Sequence, residues 1–228
     1  MKRSRINALI RDALSFFAEH QFHLPPFATW TPEDWSRKGE ACREIVVRQL
    51  GWDITEFGRG DFDRLGLLLF TLRNGSAPGV PGLPEKPYAE KIMIVGIKQV
   101  TPMHFHWTKT EDIINRGGGR LMIEVHRADA HGELDTGNVT YSADGVSYTV
   151  PAGHVVCLKP GESITLTPEI YHTFWAEGER VLAGEVSSVN DDTRDNRFRE
   201  PLDRFPSIEE DESPIHLLVS DYEAYVRR

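Results

Sequence analysis

The sequence predicts a mainly β protein, a sandwich or a barrel, with a helical extension at its N-terminus. Short apolar runs separated by polar, glycine-containing turns recur between residues 88 and 189, which is typical of an all-β domain. The first 60 or so residues instead show apolar positions at helical spacing. A chain of 228 residues is long enough to bury a core without disulfide bonds.

Composition narrows the class of protein. The chain carries 26 Lys and Arg against 35 Asp and Glu, a formal charge of −9, which argues against nucleic-acid binding. Its two cysteines, Cys42 and Cys157, cannot build a disulfide framework or a multi-cysteine zinc site. No apolar run reaches the roughly 18 residues that span a membrane, and no signal peptide is recognisable, so we expect a cytoplasmic protein.

The N-terminal part reads as helices. Residues 4–20 carry one apolar stripe at helical spacing: Ile6, Leu9, Ile10, Ala13, Leu14 and Phe17. Thr31 followed by Pro32 predicts the start of a second helix, with an N-cap and a proline at the first helical position. A further helical pattern ends at Gly51. We expect residues 1–74 to form a helical extension packed on the β domain.

The remaining chain divides into a loop and a β domain. A short apolar run at 65–72 predicts a buried strand, and the proline- and glycine-rich residues 75–87 predict a long loop. Residues 88–228 are expected to form the barrel and a C-terminal tail. The strand candidates are 91–100, 119–128, 140–143, 146–150, 154–158, 163–166 and 180–186.

Four residues form a candidate metal site. His104 and His106 end a strand pattern, and alternate residues of a strand share a face, so both imidazoles point the same way. Glu111 follows after a gap of four residues, and His172 comes much later, after Pro168. This order suits an open metal site inside a β-barrel.

These residues also carry a resemblance. They are similar to the two motifs of the cupin superfamily, a jelly-roll-like β-barrel, with the matching positions Gly96, His104, His106, Glu111 and Gly117, then Gly161, Pro168 and His172. The segment 104–119 further resembles the signature stretch of bacterial D-lyxose isomerases, and the likeness extends over nearly the whole chain. It implies a homodimeric, manganese-type metal-dependent aldose–ketose isomerase that interconverts D-lyxose and D-xylulose, and also D-mannose and D-fructose.

To isomerise a sugar, such a metal site also needs open positions for the substrate and a nearby base. Three His and one Glu leave two positions of an octahedral ion open for two neighbouring sugar oxygens, and the ligand types admit Mn²⁺, Fe²⁺, Co²⁺, Ni²⁺ or Zn²⁺. The isomerisation also needs a base near the ion but not bound to it. We expect Glu185, on a late strand, to be the proton shuttle. Lys109, between two ligands, is expected to stabilise charge on the sugar oxygens or to handle hydroxyl protons.

Five polar residues are candidates for binding the sugar. Lys98 shares strand parity with His104, and Glu124 lies on the next strand. Asp191, Asp192 and Arg194 follow the late strand, where a solvated charge run is an equally good interpretation.

Alternatives remain for the catalytic pair and for the function. Glu185 fits a surface position at a strand end, and Lys109 fits a solvated loop. The two competing functions are an Fe(II) dioxygenase with the same cupin ligands and a non-catalytic, metal-dependent sugar-binding cupin.

Overall fold

A computed structural model describes residues 1–76, 79–192, 194–205 and 207–226. The helices are α1 (Arg3–Glu19), α2 (Pro32–Lys38), α3 (Arg43–Val47) and α4 (Tyr222–Tyr225), with 3₁₀ turns at Pro26–Thr29, Gly39–Cys42 and Val219–Asp221. The strands are β1 (Gly51–Thr55), β2 (Leu67–Arg73), β3 (Ala89–Val95), β4 (Thr101–His106), β5 (Glu111–Ala128), β6 (Leu134–Asp135), β7 (Val139–Ala143), β8 (Val146–Val150), β9 (His154–Leu158), β10 (Ser163–Leu166), β11 (Ile170–Ser187) and β12 (Asn196–Phe198). Across these described ranges, no helix is both long and apolar enough to cross a membrane.

The strands form one antiparallel sheet in the order β1-β2-β3-β11-β5-β10-β7-β8. Strand β4 pairs with β11 and β12, while β6 and β9 pair with β5. The long strands β5 and β11 pair along most of their length and organise the sheet. The mainly β fold with a helical N-terminal part, predicted from the sequence, is confirmed.

Most predicted strands occur where the sequence places them, and β8, β9 and β10 have the predicted bounds. The strand predicted over 91–100 is wrong in its second half. Strand β3 ends at Val95, and a turn follows in which the Gln99 N–H donates to the Gly96 carbonyl. Lys98 adopts a φ of 57° in that turn, which a strand does not permit. Two strands are much longer than predicted, because β5 begins at Glu111 and β11 at Ile170.

The N-terminal part combines helices with two strands. The Thr31 side chain caps α2, and Asp34 reciprocates, forming a capping box. Strand β2 occupies the predicted apolar run, whereas β1 was not predicted, and both join the sheet through β3. Residues 75, 76 and 79–87 form neither helix nor strand. The division into an extension, a loop and a barrel stays a prediction.

Two apolar cores lie on the two faces of β2 and β3. Leu69, Met93 and Val95 face the barrel interior. Their neighbours Leu68 and Ile94 face outward and pack against the apolar stripe of α1. This alternation follows from the two-residue period of a strand. It fixes which polar residues of these strands enter the barrel.

A run of glycines lets β5 and β11 pair closely. The register between the strands shifts opposite Gly118, which has a φ of 92°. A Cβ atom at Gly118 would overlap the Arg180 carbonyl oxygen. Gly145, in the turn between β7 and β8, has a similar φ of 82° but open space where a Cβ would lie. Comparing substitutions at the two glycines therefore separates the cost of backbone strain from the cost of steric overlap.

We predict that Gly118→Ala destabilises the fold far more than Gly145→Ala. Left-handed backbone strain alone costs about 1 kcal/mol for alanine, whereas the overlap at Gly118 should raise the cost to about 3 kcal/mol or more. Urea unfolding of both variants measures the difference. Equal losses in the two variants would show that the close approach of β11 to Gly118 is not a constraint.

Candidate active site

The candidate site is a cavity inside the barrel with about 460 Å³ of empty volume, including open solvent at its mouth. Its ionisable lining comprises Lys91, Lys109, Glu111, Glu185, Asp192, Arg204 and three histidines, His104, His106 and His172. Its apolar lining comprises Phe57, Leu67, Leu69, Met93, Ile113, Phe174 and Phe198. Charged groups thus share a buried space with apolar walls.

Three histidines meet at the centre of the cavity. His104 and His106 come from β4, and His172 lies opposite His104 on β11. One ring nitrogen from each histidine lies within 4.8 Å of the others. All three side chains are buried. Strand parity and cross-strand register together produce this cluster.

Backbone carbonyls orient two of these rings. The Nδ1 atom of His104 donates to the Pro102 carbonyl at 2.7 Å, and Nδ1 of His172 donates to the Ile170 carbonyl at 3.1 Å. The Nε2 atoms are therefore left as acceptors on the cavity side, which is the form that binds metals. Burial, reinforced by the other two imidazoles, holds the pKa of His104 well below its ordinary value, so the ring is neutral.

Glu111 joins the histidine cluster. Its Oε1 atom lies 3.1 Å from Nε2 of His172 and 3.4 Å from Nε2 of His106. This oxygen is buried and makes no hydrogen bond that meets geometric criteria within the described residues. Burial would raise the pKa of Glu111, but Lys109 and His106 outweigh it and hold the pKa well below its usual range. An ionised oxygen without a hydrogen bond, beside imidazole nitrogens, is a donor set that fits a divalent metal ion.

Lys109 and Glu185 form an ion pair next to this cluster. The Lys109 Nζ atom lies 2.7 Å from Oε2 of Glu111 and 3.0 Å from Oε1 of Glu185. Burial would lower the pKa of Lys109, but the surrounding carboxylates outweigh it and raise the pKa, so the amine is charged. Neither side chain is on the surface, since Lys109 is 2% exposed and Glu185 is 5% exposed.

Asp195 fixes the loop that carries Lys109. Its Oδ1 atom accepts from the N–H and the hydroxyl of Thr108, each at 2.8 Å. Its Oδ2 atom accepts from the N–H of Lys109 at 3.1 Å and lies 3.9 Å from Nδ1 of His106. One buried carboxylate therefore holds the segment between His106 and Glu111. No sequence pattern predicts this role for Asp195.

Four other residues near the site were also missed. The polar contacts extend away from Glu185 through these four residues, which are Lys91, Asn190, Arg204 and Asp53. Lys91 donates to Oδ1 of Asn190 at 2.6 Å, and Arg204 donates to both carboxylate oxygens of Asp53. Strand parity indicates an inward position for Lys91, which lies on the same face of β3 as the core residues Met93 and Val95. The tail residues Asn190 and Arg204 carry no comparable pattern.

The structure places some predicted sugar-binding residues in the cavity and others outside it. Asp192 lines the cavity, 3.6 Å from Arg204. Lys98 is exposed in the turn between β3 and β4, which corrects the parity argument that put it inside. Glu124 lies on the outer face of β5, where it contacts His126 at 2.7 Å. The neighbouring Ile123 is buried on the inner face, so the Glu124 side chain lies on the opposite face and outside the cavity, contrary to the expectation.

The remaining two candidates lie in the turn after β11. Arg194 is exposed, and its N–H donates to the Asp191 carbonyl. Neither residue is among the described residues that line the cavity. In contrast, Asp192 lines the cavity and Asp195 is buried against the loop that carries Lys109, so the residues of this charged run have different surroundings.

Comparisons with known proteins point to one family. The family described as D-lyxose isomerase matches residues 1–222. A "D-lyxose/D-mannose isomerase" of Escherichia coli O157:H7 is 50% identical over 228 residues, which covers 99% of this chain and 100% of the relative. A protein of the same name from Serratia proteamaculans is 52% identical over 230 residues, with the same coverage of both chains.

Solved structures share the fold at low sequence identity. The L-ribose isomerase of Acinetobacter sp. DL28, in complex with L-ribose, has a TM-score of 0.60 at 16% identity. The L-ribose isomerase of Cellulomonas parahominis with L-ribose has a TM-score of 0.57 at 17% identity. Each comparison covers 92% of this chain and 98% of the other.

The chain has a charged cavity inside the barrel and is half identical to the two D-lyxose/D-mannose isomerases. It is therefore a sugar isomerase. More specifically, the chain belongs to the D-lyxose isomerase family.

We predict that Asp195→Asn lowers the free energy of unfolding by about 1–3 kcal/mol, because hydrogen bonds to a buried carboxylate are lost or weakened. Urea unfolding measures the change. Asp129→Asn is a matched control, since Asp129 also accepts from two loop N–H groups but is exposed. The control should lose clearly less stability, and equal losses would contradict a special role for the loop at Lys109.

Proposed function

We propose that this protein is a divalent-metal-dependent aldose–ketose isomerase that interconverts D-lyxose and D-xylulose, and D-mannose and D-fructose, through a cis-enediol. The observation that carries the proposal is the buried, ionised Glu185 beside a cluster of three imidazoles in one cavity. The names of the two relatives that are half identical to the chain support the choice of sugars.

The ligands of the metal would be His104, His106, Glu111 and His172. Two observations support this assignment: the two orientated rings, and the Oε1 atom of Glu111, for which no described residue supplies a hydrogen bond. Nitrogen and carboxylate ligands suit several divalent ions, and we propose Mn²⁺ from the family resemblance, with Co²⁺, Fe²⁺, Ni²⁺ and Zn²⁺ as alternatives. When bound, the ion supplies positive charge that polarises the sugar carbonyl and stabilises charge on the neighbouring oxygens.

Glu185 would move the carbon-bound proton. It takes the proton from C2 of the open-chain aldose and returns it to C1. The electron pair of the C2–H bond becomes the C1=C2 double bond while the carbonyl pair moves to O1. Burial raises the pKa of Glu185, but Lys109 and Lys91 outweigh it, so the pKa lies below its ordinary value. The carboxylate is therefore ionised at neutral pH and ready to accept a proton.

Lys109 would act on the sugar oxygens. Its ammonium group donates hydrogen bonds to the charge that develops at O1 and O2, and it transfers the hydroxyl proton from O2 to O1. The net change moves one proton from C2 to C1 and another from O2 to O1, which balances the conversion of aldose to ketose.

The rest of the cavity would bind the sugar chain. Asp192, Asn196 and Arg204 offer polar groups for hydroxyls, and Phe57 and Phe198 give an apolar wall in which the rings meet edge to face at 5.8 Å. A mixture of apolar walls and a few polar groups is typical of small-molecule sites. We further propose that the protein acts as a homodimer in the cytoplasm.

We predict that chelation abolishes isomerisation and that Mn²⁺ or another divalent ion restores it. A panel of aldoses and ketoses, assayed with each ion under anaerobic conditions, tests the proposed function. Restored interconversion of D-lyxose and D-xylulose without oxygen supports it. Oxygen uptake with iron and no isomerisation would favour a dioxygenase, and sugar binding without turnover would favour a non-catalytic protein.

His172→Ala should lose both bound metal and activity, because it removes one nitrogen ligand. Metal content by mass spectrometry is the independent readout. His154→Ala is the matched control, since His154 is exposed on β9 and should keep metal and activity. Full metal content in His172→Ala would refute the ligand set.

Glu185→Gln should keep the metal but lose isomerisation by about 10²–10⁴-fold, the usual contribution of a general base. Steady-state kinetics and metal analysis measure both quantities. Glu179→Gln, an exposed change on the same strand, should leave both unaltered. An active Glu185→Gln variant would remove Glu185 from the mechanism.

A further inference from the structure

A second lysine lies beside Glu185 and has no part in the proton transfers described above. Lys91 is directly opposite Glu185 in the pairing of β3 with β11. Its Nζ atom lies 3.3 Å from Oε1 of Glu185, and the residue is 4% exposed. Lys109 approaches the same oxygen at 3.0 Å. Glu185 is thus held between two ammonium groups.

The contacts of Glu185 are asymmetric. Lys91, Lys109 and the Ser187 hydroxyl, at 3.2 Å, all contact Oε1. Among the described residues, all side-chain hydrogen bonds and ion pairs of the Glu185 carboxylate are therefore to Oε1. They tie down one oxygen and leave Oε2 as the atom that can meet a substrate in the cavity.

Lys91 is itself fixed in place. Its Nζ atom donates to Oδ1 of Asn190 at 2.6 Å and lies 3.9 Å from a carboxylate oxygen of Asp192. Asn190 is fixed in turn by Asn74, because each residue donates one hydrogen bond to the other, at 3.0 and 2.9 Å. The ammonium group of Lys91 therefore has a defined position that it imposes on Glu185.

We propose that Lys91 is a positioning residue for the isomerisation, holding Glu185 by Oε1 so that Oε2 faces the substrate carbon atoms. The inference rests on the proposed function, since it assigns the geometry of the proton shuttle. Lys91 acts through Glu185 and not on the sugar. A misplacement of about 1 Å at a reacting group can reduce a rate about 10²-fold, so holding one oxygen has a large effect on turnover.

Lys91 also keeps the shuttle ionised. The charged and titratable groups that face Glu185 are Lys91 from β3, Lys109 from the loop after β4, and Glu111 and His106 from β5 and β4. The two lysines offset the effect of burial, which alone would raise the pKa of Glu185. Removing one of the two cations should therefore raise the pKa of Glu185. The acid limb of the kcat profile then moves to higher pH.

The test compares Lys91→Gln, Lys91→Arg and the control Lys86→Gln in the Mn²⁺-loaded enzyme. Lys86 also pairs with a carboxylate, Glu44, but lies away from the cavity. Lys91→Gln should lose kcat about tenfold or more with KM changed less than about threefold, keep its metal, and shift the acid limb to higher pH. Lys91→Arg should recover most of kcat, and Lys86→Gln should match the wild type.

A Lys91→Gln variant with wild-type kcat and an unmoved acid limb overturns the inference. A second outcome also overturns it: kcat and metal content fall together, and Lys91→Arg does not recover kcat. That pattern would show a purely structural role for Lys91. If Lys91→Gln does not fold, Asn190→Ser removes the anchor of Lys91 and should shift the limb in the same direction by a smaller amount. A wild-type enzyme that isomerises no sugar refutes the proposed function instead, independently of Lys91.

Discussion

The structure depends on keeping charged side chains inside a β-barrel without leaving any of them uncompensated. Glu111, Lys109, Glu185 and Lys91 form a continuous line of alternating charges, with neighbouring atoms 2.7 to 3.3 Å apart. A buried charge that loses its partner costs several kcal/mol, so each member of the line constrains the next. The same electrostatics keeps both carboxylates ionised and Lys109 protonated at neutral pH. The stability of the fold and the ionisation states of the site therefore depend on the same paired charges.

Regular secondary structure supplies the precision that this arrangement needs. The histidine cluster combines two alternate residues of β4 with one residue of β11 that faces them across the sheet. Loops contribute less order unless they are tied down, and Asp195 ties down the loop that carries Lys109. Functional groups on strands and on a clamped loop stay close to one geometry, as proton transfer requires.

Local patterns predicted the parts of the site that depend on strand parity. His104 and His106 share a face because they are two residues apart on one strand, and Glu185 points inward because it has the same strand parity as the core residues Val181 and Ala183 of β11. The same argument failed for Lys98, because a turn at Gly96 interrupts the strand and resets its parity. Parity has no value across such a break, and a single sequence gives no measure of where a strand ends.

The residues that escaped prediction depend on contacts between distant segments. Arg204 lies in an irregular tail, and its position is set by Asp53, 151 residues earlier in the chain. Lys91 points inward by parity, but its contact with Glu185 depends on the register between β3 and β11. Registers of this kind are set by the packing of the whole barrel, which no local pattern encodes.

Strand β11 carries both His172 and Glu185, while the cavity wall that the sugar chain would meet comes partly from the tail, through Asn196, Phe198 and Arg204. Under the proposed function, the reacting centre and part of the wall that would select the sugar are thus encoded in separable stretches of the chain. Substitutions in the tail can reshape the wall while the strand pairing that aligns the reacting groups stays intact. A fold divided in this way can change its preferred sugar during evolution without rebuilding its chemistry.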